Sequence, residues 1–279
     1  MNWRCRDLVF DLSDRGEIMG ILNVTPDSFS DGGRFCAVDE ALAQAERMIS
    51  AGAAIVDVGG ESTRPGSREV EAEEERRRVV PVITEIAKAF PEVCISIDTS
   101  KPEVAMAAIE AGARIINDVT GFRDPRMIEL AARERTGLVA MHMQGTPRTM
   151  QRAPTYGDVV EEIRAFFEDR HREMLAAGVD PESIVFDPGI GFGKTLDHNL
   201  ELLRRLPELS AADRPLLLGV SRKSFIGALV GSDEMSRRGS PTVAITCYAA
   251  EKGAPLHRVH EVEPNVRALR MTEAILAAG

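Results

Sequence analysis

The sequence lacks several features that would each point to a particular class of protein. Its four cysteines lie far apart, and no two of them form a C-x-x-C pair. No histidine stands near them at metal-ligand spacing, so we expect free thiols in a reducing cytosol and neither a disulfide framework nor a zinc site. Basic residues are in deficit, since 44 acidic side chains against 34 basic ones give a net charge of −10. Nucleic acid is therefore not an expected partner, because its phosphates require a basic face.

Long apolar runs are also missing. No stretch of the chain approaches the ~18 consecutive apolar residues that a membrane-spanning helix needs. At the N-terminus, Arg4 and Arg6 are followed by Asp7 and Asp11, which interrupt the apolar segment that a signal peptide requires. We therefore expect a soluble, cytoplasmic protein with no membrane partner.

What the sequence does contain is a repeated strand–helix pattern in a chain of 279 residues, of which 44% are hydrophobic. Eight runs of β-forming residues each end abruptly at polar residues and lead into a helical pattern; they cover residues 21–24, 54–58, 93–97, 114–116, 138–141, 184–186, 216–220 and 256–259. Most of these runs are continuously apolar, which is typical of parallel strands covered on both faces. Eight such units predict a single-domain (β/α)₈ TIM barrel of the α/β class, and a doubly wound sheet is the alternative.

Ahead of the barrel, residues 1–17 are expected to form an N-terminal extension, which leaves residues 18–279 for the barrel domain. Two runs of β-formers near this boundary, residues 8–12 and 18–23, are expected to pair as a hairpin. No low-complexity linker or change of composition suggests a second domain.

Several helix boundaries can be predicted as well. Residues 71–90 place apolar side chains on one stripe, as in a helix with one buried face. Ser100 and Glu103 form an expected capping box, with Pro102 at the first helical position. Asp124, which also precedes a proline, predicts another helix start of the same kind.

Polar side chains follow every one of the eight predicted strands. In a TIM barrel these strand ends meet at one mouth, where active sites lie. The residues concerned are Asn23, Glu61 to Arg64, Asp98, Asn117 with Asp118, His142 with Gln144, Asp187, Ser221 to Ser224, and Arg258 with His260. The carboxylates and amides suit a flat heterocycle with amino and ring N–H donors, because a carboxylate can accept two parallel hydrogen bonds.

Cations are concentrated at the last two strand ends. Lys223, Arg258 and His260 suit a phosphate group, which barrels often bind near strands seven and eight. Asn23 on the first strand neighbours the eighth strand in a closed barrel, so its oxygen can meet a Mg²⁺ held by the same phosphates.

Each of these residues has a structural alternative when it is taken alone. Asp98 or Asp118 would cap the following helix, and Asn117 would hold a turn. Arg64 would join a surface salt bridge, and His260 would be a structural hydrogen-bonding residue. The functional interpretation rests on all eight strand ends being polar together, which a purely structural mouth does not require.

Eight motifs in the chain also resemble those of one family. In chain order they are GILNVTPDSFSDGG (20–33), DVGGESTRPGS (57–67), SIDTSKPEVA (96–105), INDVTGF (116–122), MHMQGTPRTMQ (141–151), DPGIGFGKT (187–195), SRKSFIG (221–227) and RVHEV (258–262). In these motifs the sequence resembles the bacterial dihydropteroate synthases, folate-pathway enzymes that are the target of sulfonamides. Two departures are Ile190, where the family usually has an aromatic residue, and Glu261, where it usually has aspartate.

The resemblance implies a transferase that condenses (7,8-dihydropterin-6-yl)methyl diphosphate with p-aminobenzoate. Its products are 7,8-dihydropteroate and pyrophosphate, its cofactor is Mg²⁺, and the enzyme is a homodimer. Two alternatives stay open: a pterin-binding barrel that presents methyltetrahydrofolate to a corrinoid protein for methyl transfer, and a non-catalytic paralogue that only binds pterin. The cationic pair Arg258 and His260 favours the synthase, because neither alternative has a diphosphate to bind.

The resemblance also implies roles for individual residues. Those for the pterin are Asp98, Asn117, Met141, Asp187, Gly219 and Lys223. Those for the diphosphate are Asn23, Thr63, Arg258 and His260, with Asn23 also a ligand of Mg²⁺. Those for p-aminobenzoate are Phe29, Pro65, Phe192 and Ser224. The residues implied in catalysis are Asp31, Arg64, Lys223, Arg258 and His260.

Overall fold

The computed structural model describes residues 1–25, 33–62, 67–232 and 234–278. The strands in these ranges are β1 (Asn2–Cys5), β2 (Leu8–Asp11), β3 (Glu17–Asn23), β4 (Ile55–Gly59), β5 (Cys94–Asp98), β6 (Ile115–Asp118), β7 (Gly137–Met141), β8 (Ile184–Asp187), β9 (Leu217–Leu218) and β10 (Leu256–Val259). The α-helices are α1 (Gly33–Ser50), α2 (Ala72–Ala89), α3 (Pro102–Ala111), α4 (Pro125–Glu134), α5 (Val159–Ala176), α6 (Leu196–Arg204), α7 (Ser224–Val230), α8 (Gly239–Glu251) and α9 (Val262–Leu276). Within the same ranges, no helix is both long and apolar enough to cross a membrane.

The last eight strands form one parallel sheet that closes into a barrel. Their order is β8-β7-β6-β5-β4-β3-β10-β9, and a parallel bridge between Phe186 and Leu216 joins the two edge strands. The helices pack on the outward faces of the strands, so the predicted (β/α)₈ TIM barrel is confirmed. All eight predicted strands are present. The first is longer than predicted, because β3 begins at Glu17, and the seventh is shorter, because β9 pairs only over Leu217–Leu218.

The N-terminal hairpin differs from the prediction. β2 pairs with β1 in antiparallel fashion and not with residues 18–23. That second run cannot pair with β2 because it belongs to β3, both of whose edges are occupied by the barrel strands β4 and β10. The predicted pairing of residues 8–12 with 18–23 is therefore wrong. The division of the chain after residue 17 stays a prediction.

The hairpin covers the amino-terminal end of the barrel. Trp3 is fully buried, and its Nε1 donates to the carbonyl oxygen of Ser183 at 3.0 Å. It packs with Cys5 and Leu12 on the first inward residues of the eight barrel strands, which are Met19, Ile55, Cys94, Ile115, Val139, Val185, Leu217 and Leu256. This apolar floor leaves the carboxyl-terminal end of the barrel for a polar site.

The predicted helix starts have mixed outcomes. α2 lies where the apolar stripe placed it, and Asp124 caps α4 by accepting a hydrogen bond from the Arg126 backbone N–H at 2.9 Å. The predicted capping box of Ser100 is wrong, because Lys101 is the N-cap of α3 and no side chain caps that helix. Pro102 is the first helical residue, as predicted, and this makes Lys101 the N-cap in place of Ser100.

Candidate active site

Successive residues of a barrel strand point alternately inward and outward. Counting in steps of two from the floor, the inward positions at the mouth are Asn23, Gly59, Asp98, Asn117, Met141, Asp187, Gly219 and Arg258. All of these except Gly59 are site residues predicted from the sequence. The fold therefore brings the predicted strand-end residues to one place.

Arg258 is the centre of a buried hydrogen-bonded group. Its Nε donates to Oδ2 of Asp57 at 2.6 Å, and its Nη2 donates to Oδ2 of Asp98 at 2.6 Å. Asn117 donates from Nδ2 to the same Asp57 oxygen at 3.0 Å. Asp57 is fully buried and Asp98 is 7% exposed. The group joins four strands, since Asp57 lies on β4, Asp98 on β5, Asn117 on β6 and Arg258 on β10.

One guanidinium therefore pairs with two carboxylates. The pKa values of Asp98 and Arg258 reflect this excess of negative charge. Burial raises the pKa of Asp98 to about 7, although Arg258 opposes the shift, and repulsion from Asp57 and Glu75 adds to it. Burial alone would lower the pKa of Arg258, but Asp57 and Asp98 outweigh it and hold the pKa above its ordinary value. Arg258 stays charged, and the pocket retains an excess of acceptors.

Several buried acceptors in this group have no hydrogen-bond partner among the described residues. They are Oδ1 of Asp57, Oδ1 of Asp98 and the hydroxyl oxygen of Ser96, which is the inward residue of β5 one step below Asp98. Buried polar atoms in proteins are nearly always paired, so unpaired ones at a barrel mouth indicate a place for a ligand. Carboxylate oxygens select a ligand that brings N–H donors.

Asp187 and Lys223 form a second side of the same pocket. Oδ1 of Asp187 accepts the Gly189 N–H at 2.7 Å, which leaves Oδ2 for other partners. A Cβ atom at Gly219 would lie 3.6 Å from this Oδ2 and 3.9 Å from Lys223 Nζ, so the missing side chain leaves space between them. Burial lowers the pKa of Lys223 to about 8, and Asp187 offsets part of the shift. Burial raises the pKa of Asp187, against the attraction of Lys223.

Lys223 also reaches the loop that follows β8. Its Nζ donates to the carbonyl oxygen of Ile190 and lies 4.4 Å from the ring centroid of Phe192. The Ile190 side chain is fully buried in the main core. Ile190, which departs from the family pattern, therefore contributes its backbone carbonyl to the site and its side chain to the core.

Asn23 faces Asp98 across Gly59. A Cβ at Gly59 would lie 3.7 Å from Oδ1 of Asn23 and 3.7 Å from Oδ2 of Asp98. In the part of the chain that the structure describes, no group of three or more His, Cys, Asp or Glu side chains could hold a metal ion. A single amide oxygen fits a Mg²⁺ ion that takes its other ligands from phosphates and water, as this cation often does.

His260 and Ser224 lie at the rim, after β10 and at the start of α7. Nδ1 of His260 is 2.9 Å from the hydroxyl oxygen of Ser221, which also accepts the His260 backbone N–H at 3.1 Å. An ion pair between Arg222 and Glu261 joins the same two loops. The glutamate that departs from the family pattern thus keeps a charged partner. Ser224 is exposed.

Two further predicted residues meet in an apolar cluster at the mouth. Met141 is buried in a group on which Phe192 packs, and whose other members are Val119, Met143 and Met150. The remaining predicted residues lie outside the described part of the chain; they are Phe29, Asp31, Thr63, Arg64 and Pro65. Their roles stay predictions.

Asp57 and Ser96 were not predicted from the sequence as individual site residues. Both lie in the middle of a strand and not at its end. Each is a polar residue inside an otherwise apolar strand, and each lies two positions before an inward residue of the mouth. This spacing would have indicated that Asp57 and Ser96 also point into the barrel. Asp118 has a structural role, but not the helix cap that was its alternative, because Asp124 caps α4 and Asp118 instead holds the loop before that helix. Its carboxylate accepts the backbone N–H groups of Thr120 at 2.7 Å and Phe122 at 2.9 Å.

The fold and this group of side chains define a TIM-barrel protein with an acceptor-rich pocket at its mouth. Comparison with known proteins agrees. The pattern of the family described as pterin binding enzymes matches residues 19–260. The chain is 50% identical over 261 residues to the dihydropteroate synthase of Escherichia coli, which covers 94% of this chain and 92% of the relative.

Two solved structures are also similar. Dihydropteroate synthase of Yersinia pestis, in a complex with a sulfonamide drug, has a TM-score of 0.93 and 45% identity, covering 99% of this chain and 100% of that one. The enzyme of Xanthomonas albilineans, in complex with 7,8-dihydropteroate, has a TM-score of 0.89 and 41% identity, with 99% of each chain covered. The chain belongs to the dihydropteroate synthases, which are transferases within the pterin-binding family. The resemblance seen in the eight motifs is confirmed.

Proposed function

We propose that the chain condenses (7,8-dihydropterin-6-yl)methyl diphosphate with p-aminobenzoate, giving 7,8-dihydropteroate and pyrophosphate in folate biosynthesis. The observation that carries the proposal is the pair of buried Oδ1 atoms of Asp57 and Asp98, which have no partner in the described structure. A dihydropterin presents amino and ring N–H donors along its edge, and these would satisfy such oxygens. The product that the proposal requires is the ligand bound in the Xanthomonas relative.

The pterin would lie between the two sides of the pocket. Asp98 and Asn117 face it from β5 and β6, and Asp187 faces it from β8. Met141 supplies an apolar surface, and Gly219 leaves room for the ring because it has no side chain. Carboxylates on two sides would fix both the position and the orientation of the heterocycle.

The diphosphate would lie at the rim, where Asn23, Arg258 and His260 are placed. Asp57 and Asp98 hold the Arg258 guanidinium in one orientation, so it can meet a developing negative charge with little rearrangement. Asn23 offers an amide oxygen to Mg²⁺. When bound together with the diphosphate, this cation would neutralise charge on the leaving pyrophosphate.

In the reaction, the C–O bond between the pterin methylene and the diphosphate breaks. The amine nitrogen of p-aminobenzoate forms a C–N bond to the same carbon and loses a proton. Negative charge develops on the departing pyrophosphate, where Arg258 and His260 stabilise it. The arylamine is neutral at pH 7, so no strong general base is required, and its orientation provides much of the remaining acceleration.

The arylamine would be oriented by the wall beside the pterin pocket. This wall contains the Phe192 ring next to the Lys223 ammonium, with Ser224 directly after Lys223 at the start of α7. Phe29 and Pro65 are proposed to complete it. Closure of this region would exclude water, which competes with the arylamine for the electrophilic methylene.

The purified chain, incubated with Mg²⁺ and both substrates, tests the proposal. We expect pyrophosphate and 7,8-dihydropteroate in equal amounts, and no dihydropteroate when p-aminobenzoate is omitted. His260→Ala should lower kcat/KM by about 10-fold or more, because one partner of the leaving group is lost. If neither product forms with all components present, the proposed reaction is wrong.

We also propose that the enzyme works as a cytoplasmic homodimer. Free, unpaired Cys5 and Cys94 suit a reducing compartment. α8 and α9 expose apolar side chains that a second copy would cover, namely Tyr248, Met271, Ile275 and Leu276. Sedimentation at micromolar concentration should give twice the 30.4 kDa chain mass. A monomer under these conditions would contradict the dimer.

A further inference from the structure

The β8–α6 loop, residues 188–195, is held by a side chain at each of four successive carbonyl groups. Its glycines Gly189, Gly191 and Gly193 have φ values of 64°, 82° and 62°, a region that other residues rarely adopt. The carbonyl oxygens of residues 190 to 193 accept, in order, from Lys223, Gln151, Lys194 and Tyr156. These four hydrogen bonds fix the backbone of residues 190–193 and therefore the position of the Phe192 side chain.

Among these four donors, Lys194 is the one that belongs to the loop itself, and it also reaches the end of a neighbouring strand. It is only 3% exposed. Its Nζ donates to the carbonyl oxygen of Phe192 at 2.9 Å and to that of His142 at 3.4 Å, and it lies 3.1 Å from His142 Nδ1. These contacts use the three donors of an ammonium group. Because His142 follows β7, Lys194 links the ends of β7 and β8.

The His142 ring is suited to accept from Lys194. Burial, together with the nearby charges of Lys194 and Arg123, lowers the pKa of His142 to about 2, so the imidazole is neutral. With Nδ1 as the acceptor, we assign the ring proton to Nε2. The ring also packs edge-on against Phe166, with 5.0 Å between the centroids. His142 is therefore a fixed anchor for the loop.

Burying the charged ammonium group of Lys194 costs free energy, because the charge is removed from water. Burial lowers the pKa of Lys194 to about 7, Lys223 adds to the shift, and Asp187 opposes it. An apolar residue of similar volume would pack here without this cost. What an apolar residue would not supply is a donor for the carbonyls of Phe192 and His142.

We infer that Lys194 is a positioning residue for the arylamine: it ties the Phe192 peptide to His142 and so holds the Phe192 ring beside Lys223. The inference rests on the proposed function in one respect, that p-aminobenzoate is the ligand of this wall. Without Lys194, two buried carbonyls lose their donor and the wall gains freedom. The acceptors Asp57 and Asp98 of the pterin pocket stay as they are.

The test compares Lys194→Met with the control Lys88→Met. Methionine keeps a long apolar stem and removes the donors, and Lys88 has a side chain that is 67% exposed on α2. We expect Lys194→Met to raise the KM for p-aminobenzoate by about tenfold, the size of one hydrogen bond, and the KM for the pterin substrate by less than about threefold. The control should change neither. An equal rise in both constants, or no rise in either, would overturn the inference.

A second variant and a second measurement test the role of Lys194 even if Lys194→Met folds poorly or the wild type is inactive. Tyr156→Phe removes only the hydroxyl that donates to Gly193 at 2.8 Å, and it should raise the same KM in the same direction by a smaller factor. Amide hydrogen exchange in residues 190–193 should be faster in both variants than in wild type and unchanged in Lys88→Met. This readout needs no activity. If the wild type makes no dihydropteroate, the proposed function is wrong. In that case, unchanged amide hydrogen exchange in residues 190–193 of these variants would refute the role of Lys194.

Discussion

At the scale of single residues, Arg258 is shared between Asp57 and Asp98 at 2.6 Å from each. Two buried carboxylates with one cation keep a net negative charge, which the N–H donors of a pterin can meet. The same sharing holds the guanidinium in one orientation. In the proposed function, recognition of the pterin and stabilisation of the leaving group would therefore depend on one hydrogen-bonded group.

The raised pKa of Asp98 predicts a pH dependence of pterin binding. With a pKa of about 7, Asp98 is ionised above pH 7 and protonated below it, and only the ionised form accepts two N–H donors. The affinity for 6-hydroxymethyl-7,8-dihydropterin should therefore fall as the pH is lowered from 8 to 6, by up to about tenfold per pH unit below the pKa. Calorimetric titration at several pH values measures this.

The control for this dependence is Asp98→Asn, in which the titrating group is absent. Its affinity should be low and should no longer carry the inflection near pH 7. Burial also raises the pKa of Asp187, which acts in the same direction. A wild-type affinity that stays constant between pH 6 and 8 would contradict the raised pKa of Asp98 as a determinant of pterin binding.

Site residues at strand ends could be predicted from the sequence, whereas site residues in the middle of a strand could not. Asp98, Asn117 and Asp187 stand where apolar runs stop, so a barrel places them at the mouth. Asp57 lies in the interior of the run IVDVG, and its role follows only from the register of β4 against β5. Its partner Arg258 is 201 positions away in the chain, a contact that no local pattern contains.

At the scale of elements, two glycines of the mouth have opposite tolerances. A Cβ at Gly219 would make ordinary contacts of 3.6–3.9 Å, whereas a Cβ at Gly189 would lie 2.0 Å from the His142 carbonyl oxygen at a φ of +64°. Gly219→Ala should therefore fold as well as wild type but bind the dihydropterin about tenfold more weakly, because the methyl group enters the pocket.

Gly189→Ala should instead lose stability by about 3 kcal/mol or more, since the backbone itself must move. Gly178→Ala is the matched control, because its φ is +88° but nothing lies within 4 Å of the added Cβ. It should cost about 1 kcal/mol. Urea unfolding and dihydropterin titration of the three variants separate the two effects; a large stability loss in Gly219→Ala would contradict the pocket geometry.

Element types were predictable from hydrophobic pattern, while the pairing of elements was less so. Residues 8–12 and 18–23 both read as strands, and both are strands. Their predicted pairing failed because a barrel strand needs two strand neighbours, and the short run at Asn2–Cys5 provided β2 with another partner. α3 starts at Pro102, as predicted, and only its N-cap differs, since Lys101 and not Ser100 precedes the first helical residue.

At the scale of the whole molecule, the two ends of the barrel have different tasks. The apolar floor around Trp3 contributes to stability, and the polar mouth carries the chemistry. Trp3→Ala should lower the free energy of unfolding by about 3–5 kcal/mol, because a fully buried aromatic side chain is lost. At a temperature where the variant is folded, its KM values should stay within about twofold of wild type.

The control for the floor is Val9→Ala, on the exposed side of the same hairpin with Val9 48% exposed. It should change the free energy of unfolding by less than about 0.5 kcal/mol. Chemical denaturation and steady-state kinetics on the same preparations compare the two variants. A large change in KM for Trp3→Ala without a loss of stability would mean that the floor is coupled to the site.

If buried carboxylate oxygens at the mouth bind the pterin, Asp187→Asn should weaken pterin binding strongly. Asparagine can keep the Oδ1 acceptor for the Gly189 N–H but places an NH₂ donor where Oδ2 stood. Asp197→Asn, at an exposed carboxylate on α6, is the control. Titration with 6-hydroxymethyl-7,8-dihydropterin should show an affinity lowered by on the order of 100-fold in Asp187→Asn and unchanged in the control. An affinity for Asp187→Asn within about threefold of wild type would contradict the account.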